Sequence, residues 1–116
     1  MDQRYFSQLS SPRKALVRLC QTTNYGYIRD LEVRNSDPVF SPPPLVILDV
    51  KLDTDEKRRE EVELSDFALS AEVCRLLAQL DKIKNGTIER IDVREGIPRR
   101  VFFASPLIAA LHRPST

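Results

Sequence analysis

The chain has 116 residues, 41% hydrophobic and 30% charged, with 18 basic and 17 acidic side chains giving a net charge of +1. That length suits one domain, able to bury a core without metal or disulfide staples, and the ordinary composition excludes disorder as the dominant state. Balanced charge excludes a protein that coats nucleic acid by bulk charge, because displacing counterions from phosphates needs a positive excess.

Near the start, Tyr5, Phe6 and Leu9 predict a short turn packed on the body. Met1-Asp2-Gln3-Arg4 leads into polar sequence instead of an apolar export core, and the longest apolar run, Leu45 to Leu48, is far below the ~20 residues that span a bilayer. A cytoplasmic protein with no membrane partner is the expectation.

Ser11-Pro12 predicts a helix start, with a serine oxygen to cap free amides and a proline at the first helical position. Ala15, Leu16, Leu19, Cys20 and Thr23 follow at helical spacing, and Asn24 to Gly26 ends the helix. Tyr27 to Arg34 alternates as a strand, with Leu31 and Val33 on one face. Asn35-Ser36-Asp37-Pro38 is turn chemistry, Val39-Phe40 begins a return strand, and Pro42-Pro43-Pro44 halts pairing. Leu45 to Leu52 predicts the strongest strand, and Asp55 to Glu63, with eight charged residues, an exposed linker.

The stripe Leu69, Val73, Leu76, Leu77, Leu80 and Ile83 predicts a second helix from about Asp66 to Lys84. Asn85-Gly86 closes it, with glycine in the left-handed cap. Thr87 to Val93 follows as a strand with Ile91 and Val93 inward. Arg94-Glu95-Gly96 predicts a three-residue hairpin loop leading to Ile97, Val101 and Phe103 on the same face. Ser105-Pro106 repeats the serine–proline start before a closing turn over Leu107 to His112.

Shifted by sixty residues, the chain matches itself. Gly26, Ile28, Val33, Arg34 and Pro38 fall on Gly86, Ile88, Val93, Arg94 and Pro98; Leu31 meets Ile91, and Leu9, Ser10 and Leu16 meet Leu69, Ser70 and Leu76. The expectation is a single domain over 1–116 with an internal repeat at 9–40 and 69–103. Its fold class is α+β: two helix–β-hairpin units form a mainly antiparallel sheet of four to five strands, with the helices packed on one face.

The motifs Asn24-Tyr25-Gly26-Tyr27-Ile28 and Asn85-Gly86-Thr87-Ile88 resemble those of the YezD-like helix-plus-hairpin proteins, short bacterial proteins. The centre Pro38-Val39-Phe40 with Pro42-Pro43-Pro44 is similar to that of other small bacterial proteins. The resemblance implies the layout and brings no activity.

Catalytic patterns are absent from the sequence. His112 is the one histidine and stands near the end, with no evident partner for general-base work. One histidine and two separated cysteines do not make a zinc site, and three scattered glycines do not make a phosphate loop. Asp49, Asp53 and Asp55 lack calcium-loop spacing. No cofactor and no metal are expected. Cys20 and Cys74 sit in helical stretches and are expected to be reduced and buried.

Two surfaces stand out. A candidate anion or nucleic-acid patch joins Arg13, Lys14 and Arg18 of the first helix with Arg99 and Arg100. An apolar partner-binding patch is expected from Leu45, Ile47, Ile88 and Phe102, which strict alternation places on the sheet face away from the helices. The function these features predict is a small non-catalytic interaction module acting through a dimer or larger complex. A weak nucleic-acid-binding accessory protein is the alternative, and a small enzyme of unrecognised class comes third.

Overall fold

Each helix begins where a serine oxygen meets amides that have no partner one turn earlier. In the computed structural model, which describes residues 4–54 and 64–104, α1 (Ser11–Thr23) is capped by Ser10, whose Oγ accepts from the Arg13 amide at 3.4 Å. The cap thus falls one residue before the predicted Ser11. Ser70 caps α2 (Ala71–Ile83) in the same way, through the Val73 amide at 3.2 Å. The C-terminal turn and the charged linker of the sequence reading lie outside the described residues.

α2 starts later than its periodicity predicts, because the residues before it are extended and tied to the N-terminal segment. Tyr5 bridges Ala68, the Phe6 amide donates to the Phe67 carbonyl at 3.0 Å, and the Leu69 amide donates to the Arg4 carbonyl at 2.8 Å. The Phe6 and Phe67 rings stack with centroids 4.9 Å apart. The Ser7 amide, foremost, and its hydroxyl hold the exposed Asp66 carboxyl below its usual range.

The five strands are β1 (Tyr25–Arg34), β2 (Asp37–Val39), β3 (Leu45–Leu48), β4 (Gly86–Arg94) and β5 (Ile97–Phe103). All pair antiparallel in the order β2-β1-β4-β5. β4 lies along nearly all of β1, so β2 and β3 share the opposite edge: β2 meets residues 32–34 and β3 meets 26–29. β3 stops at Leu48, short of the predicted Leu52, where β1 runs out of partners. Both hairpins turn on two residues, Asn35-Ser36 and Glu95-Gly96, all four at positive φ. That conformation matches the twist of the flanking strands, and it shortens the predicted three-residue loop to two.

The central pairing is symmetric between the two units. Ile28 faces Ile91 and Leu31 faces Ile88, where Ile88 and Ile91 stand sixty residues after Ile28 and Leu31. These four form the floor of the core beneath Leu16, Val17, Cys20, Val73, Leu76, Leu77 and Leu80 of the helices.

Two sequence expectations fail here. The helices do not end on glycine in the left-handed region: Asn24 and Lys84 take φ 62, and Gly86 does not have positive φ. Ile88 does not lie on the far face but is fully buried in the core. The reason is a bulge in each central strand. Pairing steps from Arg29–Arg90 to Leu31–Ile88 and skips Asp30, at φ 58, and Glu89, so Ile28 and Leu31, like Ile88 and Ile91, point the same way despite odd spacing.

Candidate functional site on the open face of the sheet

The helices cover one face of the sheet, and register assigns what projects from the other. Side chains alternate along a strand, so the neighbours of the core residues Ile28 and Ile91 face outward. One outward row reads Leu45, Arg29, Arg90 and Phe102 across β3, β1, β4 and β5; the next reads Ile47, Tyr27, Asp92 and Arg100. Leu45 is 52% exposed and Phe102 43%. Three of the four predicted patch residues therefore share this face, and bulged Ile88 does not.

The centre of the face is ordered by Arg90. Its guanidinium lies 4.1 Å from the Tyr27 ring centroid and 5.9 Å from that of Phe102, and its Nε meets Asp92 Oδ1 at 2.5 Å. Stacking holds the planar cation while the carboxylate fixes its edge. Arg29 stands directly opposite Arg90 and has no ion pair among the described residues. Sequence reasoning missed Tyr27, Arg29 and Arg90. The clue was the run of alternate residues Tyr25, Tyr27 and Arg29, a non-core face too aromatic for ordinary solvation.

The basic patch expected from Arg13, Lys14, Arg18, Arg99 and Arg100 is not assembled. Arg13 is buried (9% exposed) at the first hairpin, where its guanidinium meets Asp81 at 2.6 Å, Asp37 at 3.3 Å and the Ser36 carbonyl at 2.8 Å. Arg18 stacks over Phe6 at 4.3 Å and donates to Gln21 and to the Leu64 carbonyl, and Lys14 stands 5.8 Å from the Phe6 ring. Arg99 sits at the other hairpin, paired with Glu72 at 3.1 Å and Glu95 at 3.6 Å. The antiparallel β1–β4 pair puts these hairpins at opposite ends of the sheet, so Arg13 and Arg99 serve separate local structures, and Arg100 stands in the outward row of the open face.

The cysteines divide. Cys20 is buried as expected, and burial pushes its thiol up to about 12. Cys74 is exposed, a correction, because it falls beside the Val73–Leu77 stripe and not on it. Neither forms a disulfide.

No described helix is long and apolar enough to cross a membrane. No family model, no curated protein and no solved structure matches the chain.

Proposed function

We propose that the chain is a non-catalytic interaction module, acting in the cytoplasm, that works through the open face of its sheet with a second copy of itself as partner. The observation that carries this reading is the order of the two adjacent rows, Leu45–Arg29–Arg90–Phe102 and Ile47–Tyr27–Asp92–Arg100. A two-fold axis running across the strands between these rows lays each row on the other. Leu45 then meets Ile47 of the second copy, Arg29 meets Tyr27, Arg90 meets Asp92, and Phe102 meets Arg100. Every contact is apolar, cation–π or an ion pair, and the surface is self-complementary as an isologous interface requires.

Magnitude sets the strength. Four strands ~4.8 Å apart and the two outward rows ~7 Å apart give about 270 Å² of sheet per copy. Counted over both copies that is well under the ~1,200 Å² of standard stable interfaces, so the contact is a weak, reversible one. Sedimentation across a concentration range tests the reading: wild type should associate reversibly as concentration rises, and Phe102→Asp should stay monomeric with an unchanged circular dichroism spectrum. A wild type that sediments as a monomer throughout would overturn the proposal.

One observation favours a second reading, single-stranded nucleic acid on the same face. Arg29 and Arg90 are direct cross-strand partners, and like charges so placed cost stability unless an anion lies between them. Tyr27 and Phe102 flank them as rings on which bases stack. Oligonucleotide binding that weakens with salt and is lost in Arg29→Ala would favour this alternative.

The symmetric register of β1 and β4 also supports reading the two helix–hairpin units as duplicates, in line with the YezD-like resemblance of each.

A further inference from the structure

The outer edge of β5 has no strand beside it among the described residues, and α2 overhangs it. Glu72, Arg75, Leu76 and Gln79 face the chain from Pro98 to Val101 across a cleft of about 200 Å³. Past Gln79 lies a second hollow of about 630 Å³, lined by Lys82, Ile83 and Phe103 and, on its β1 and β4 side, by Asp30 and Glu89. Positions 72, 75, 76, 79, 82 and 83 recur at helical spacing and form one stripe of α2. The two hollows meet at Gln79 and follow one side of α2 past β5; the basic residues Arg75, Arg99 and Arg100 gather at the Pro98 end, and the acids Asp30 and Glu89 at the other.

We infer that this groove takes an extended acidic segment of another protein, added to the sheet as a strand beside β5. An edge strand offers unpaired backbone amides and carbonyls, and strand addition draws affinity from those groups and selectivity from the side chains around them. Pro98 has no amide to donate, so the ladder available runs from Arg99 to Phe103, about 17 Å, enough for five residues of partner.

Charge chooses the partner. Arg99 is already shared between Glu72 and Glu95, whereas Arg75 and Arg100 have no ion pair among the described residues. Two uncommitted guanidiniums thus flank the Pro98 end of the groove, where carboxylates would meet them in charge-assisted bonds. A second copy of β5 would instead gather four arginines on one shared edge, the arrangement that keeps natural edges from pairing with themselves. The groove shares Arg100 with the dimer face, but its occupant meets β5 in the plane of the sheet.

The test uses the full chain, ¹⁵N-labelled, titrated with the acetylated peptide Asp-Glu-Val-Thr-Val-Thr and with a control in which two lysines replace the acids. The expected result is amide shifts at Leu76, Gln79, Val101 and Phe103, with the acidic peptide binding at least tenfold more tightly. Arg75→Glu combined with Arg100→Glu should reverse that preference, a gain that misfolding would not produce. No shift at millimolar peptide, equal binding of the two peptides, an unreversed preference, or shifts confined to Tyr27 and Arg90 would each overturn the inference.

Discussion

The Ser36 amide donates to the Lys84 carbonyl at 2.9 Å, and sixty residues further on the Gly96 amide donates to the Asn24 carbonyl, also at 2.9 Å. Each hairpin turn thus caps the end of the helix that belongs to the other unit. The pair of bonds locks the helices to the sheet at both ends. It also accounts for the backbone of Asn24 and Lys84, held at φ 62 with ψ −65 and −62. At Lys84 the Asn85 amide closes back on the Ile83 carbonyl at 2.7 Å, a γ-turn with positive φ that L-residues adopt only under strain.

Relieving that strain should stabilise the protein. A non-glycine residue in so sparsely populated a region costs ~1–3 kcal/mol, and glycine's extra unfolded-state entropy returns ~0.4–1 kcal/mol of this. Lys84→Gly should therefore gain about 0.5–2 kcal/mol in urea unfolding. Asn24→Gly should gain at least as much, because it also removes a buried Oδ1 that lacks a hydrogen-bond partner. A loss of stability in both would show that these side chains, not the turn amides, hold the helix ends.

The two repeat-matched glycines should respond differently. Gly26 lies at φ 149, and an added Cβ would sit 2.0 Å from the Ile47 carbonyl oxygen. Gly26→Ala should push β3 off β1 and cost about 2–3 kcal/mol. At Gly86 the nearest atom is Ile83 Cγ2 at 3.3 Å and φ is not positive, so Gly86→Ala should stay within about 1 kcal/mol of wild type. Denaturant midpoints of the two variants compare them directly.

Much of the layout was legible from local rules: serine caps, apolar stripes and turn residues each act over a few positions. What escaped was non-local. Period-two alternation from Ile91 points Ile88 outward, and only the pairing of β4 with both neighbours reveals the bulge at Glu89. Arg13 looked like surface charge until the fold brought Asp37 and Asp81 to it from two other elements. The candidate face was half legible: Leu45, Ile47 and Phe102 could be read from alternation, whereas Arg90 acquires meaning only beside Tyr27, sixty-three positions away.

The thiols give a chemical check on the fold. A disulfide-exchange reagent should label exposed Cys74 promptly and reach Cys20 only on unfolding. Burial raises the Cys20 thiol from 9.0 to about 12, so the unfolded chain loses this proton first. Its contribution to stability is intact below pH 9 and falls as pH rises towards 12, by up to ~1.4 kcal/mol per pH unit. Cys20→Ala should lower stability at neutral pH yet flatten that alkaline decline; an unchanged slope would mean that Cys20 is accessible to water.

The central claim, that the open sheet face pairs with itself across a two-fold axis, rests on the match of Arg90 to Asp92 of the second copy. Sedimentation equilibrium of Arg90→Asp, Asp92→Arg and the double variant measures that match most directly. Each single reversal places like charges together and should weaken the dimer at least tenfold, about 1.4 kcal/mol. The double variant exchanges the charges in both rows at once and should restore association to near the wild-type value. A double variant no better than either single one, in a wild type that does dimerise, would contradict the two-fold pairing and place the interface elsewhere.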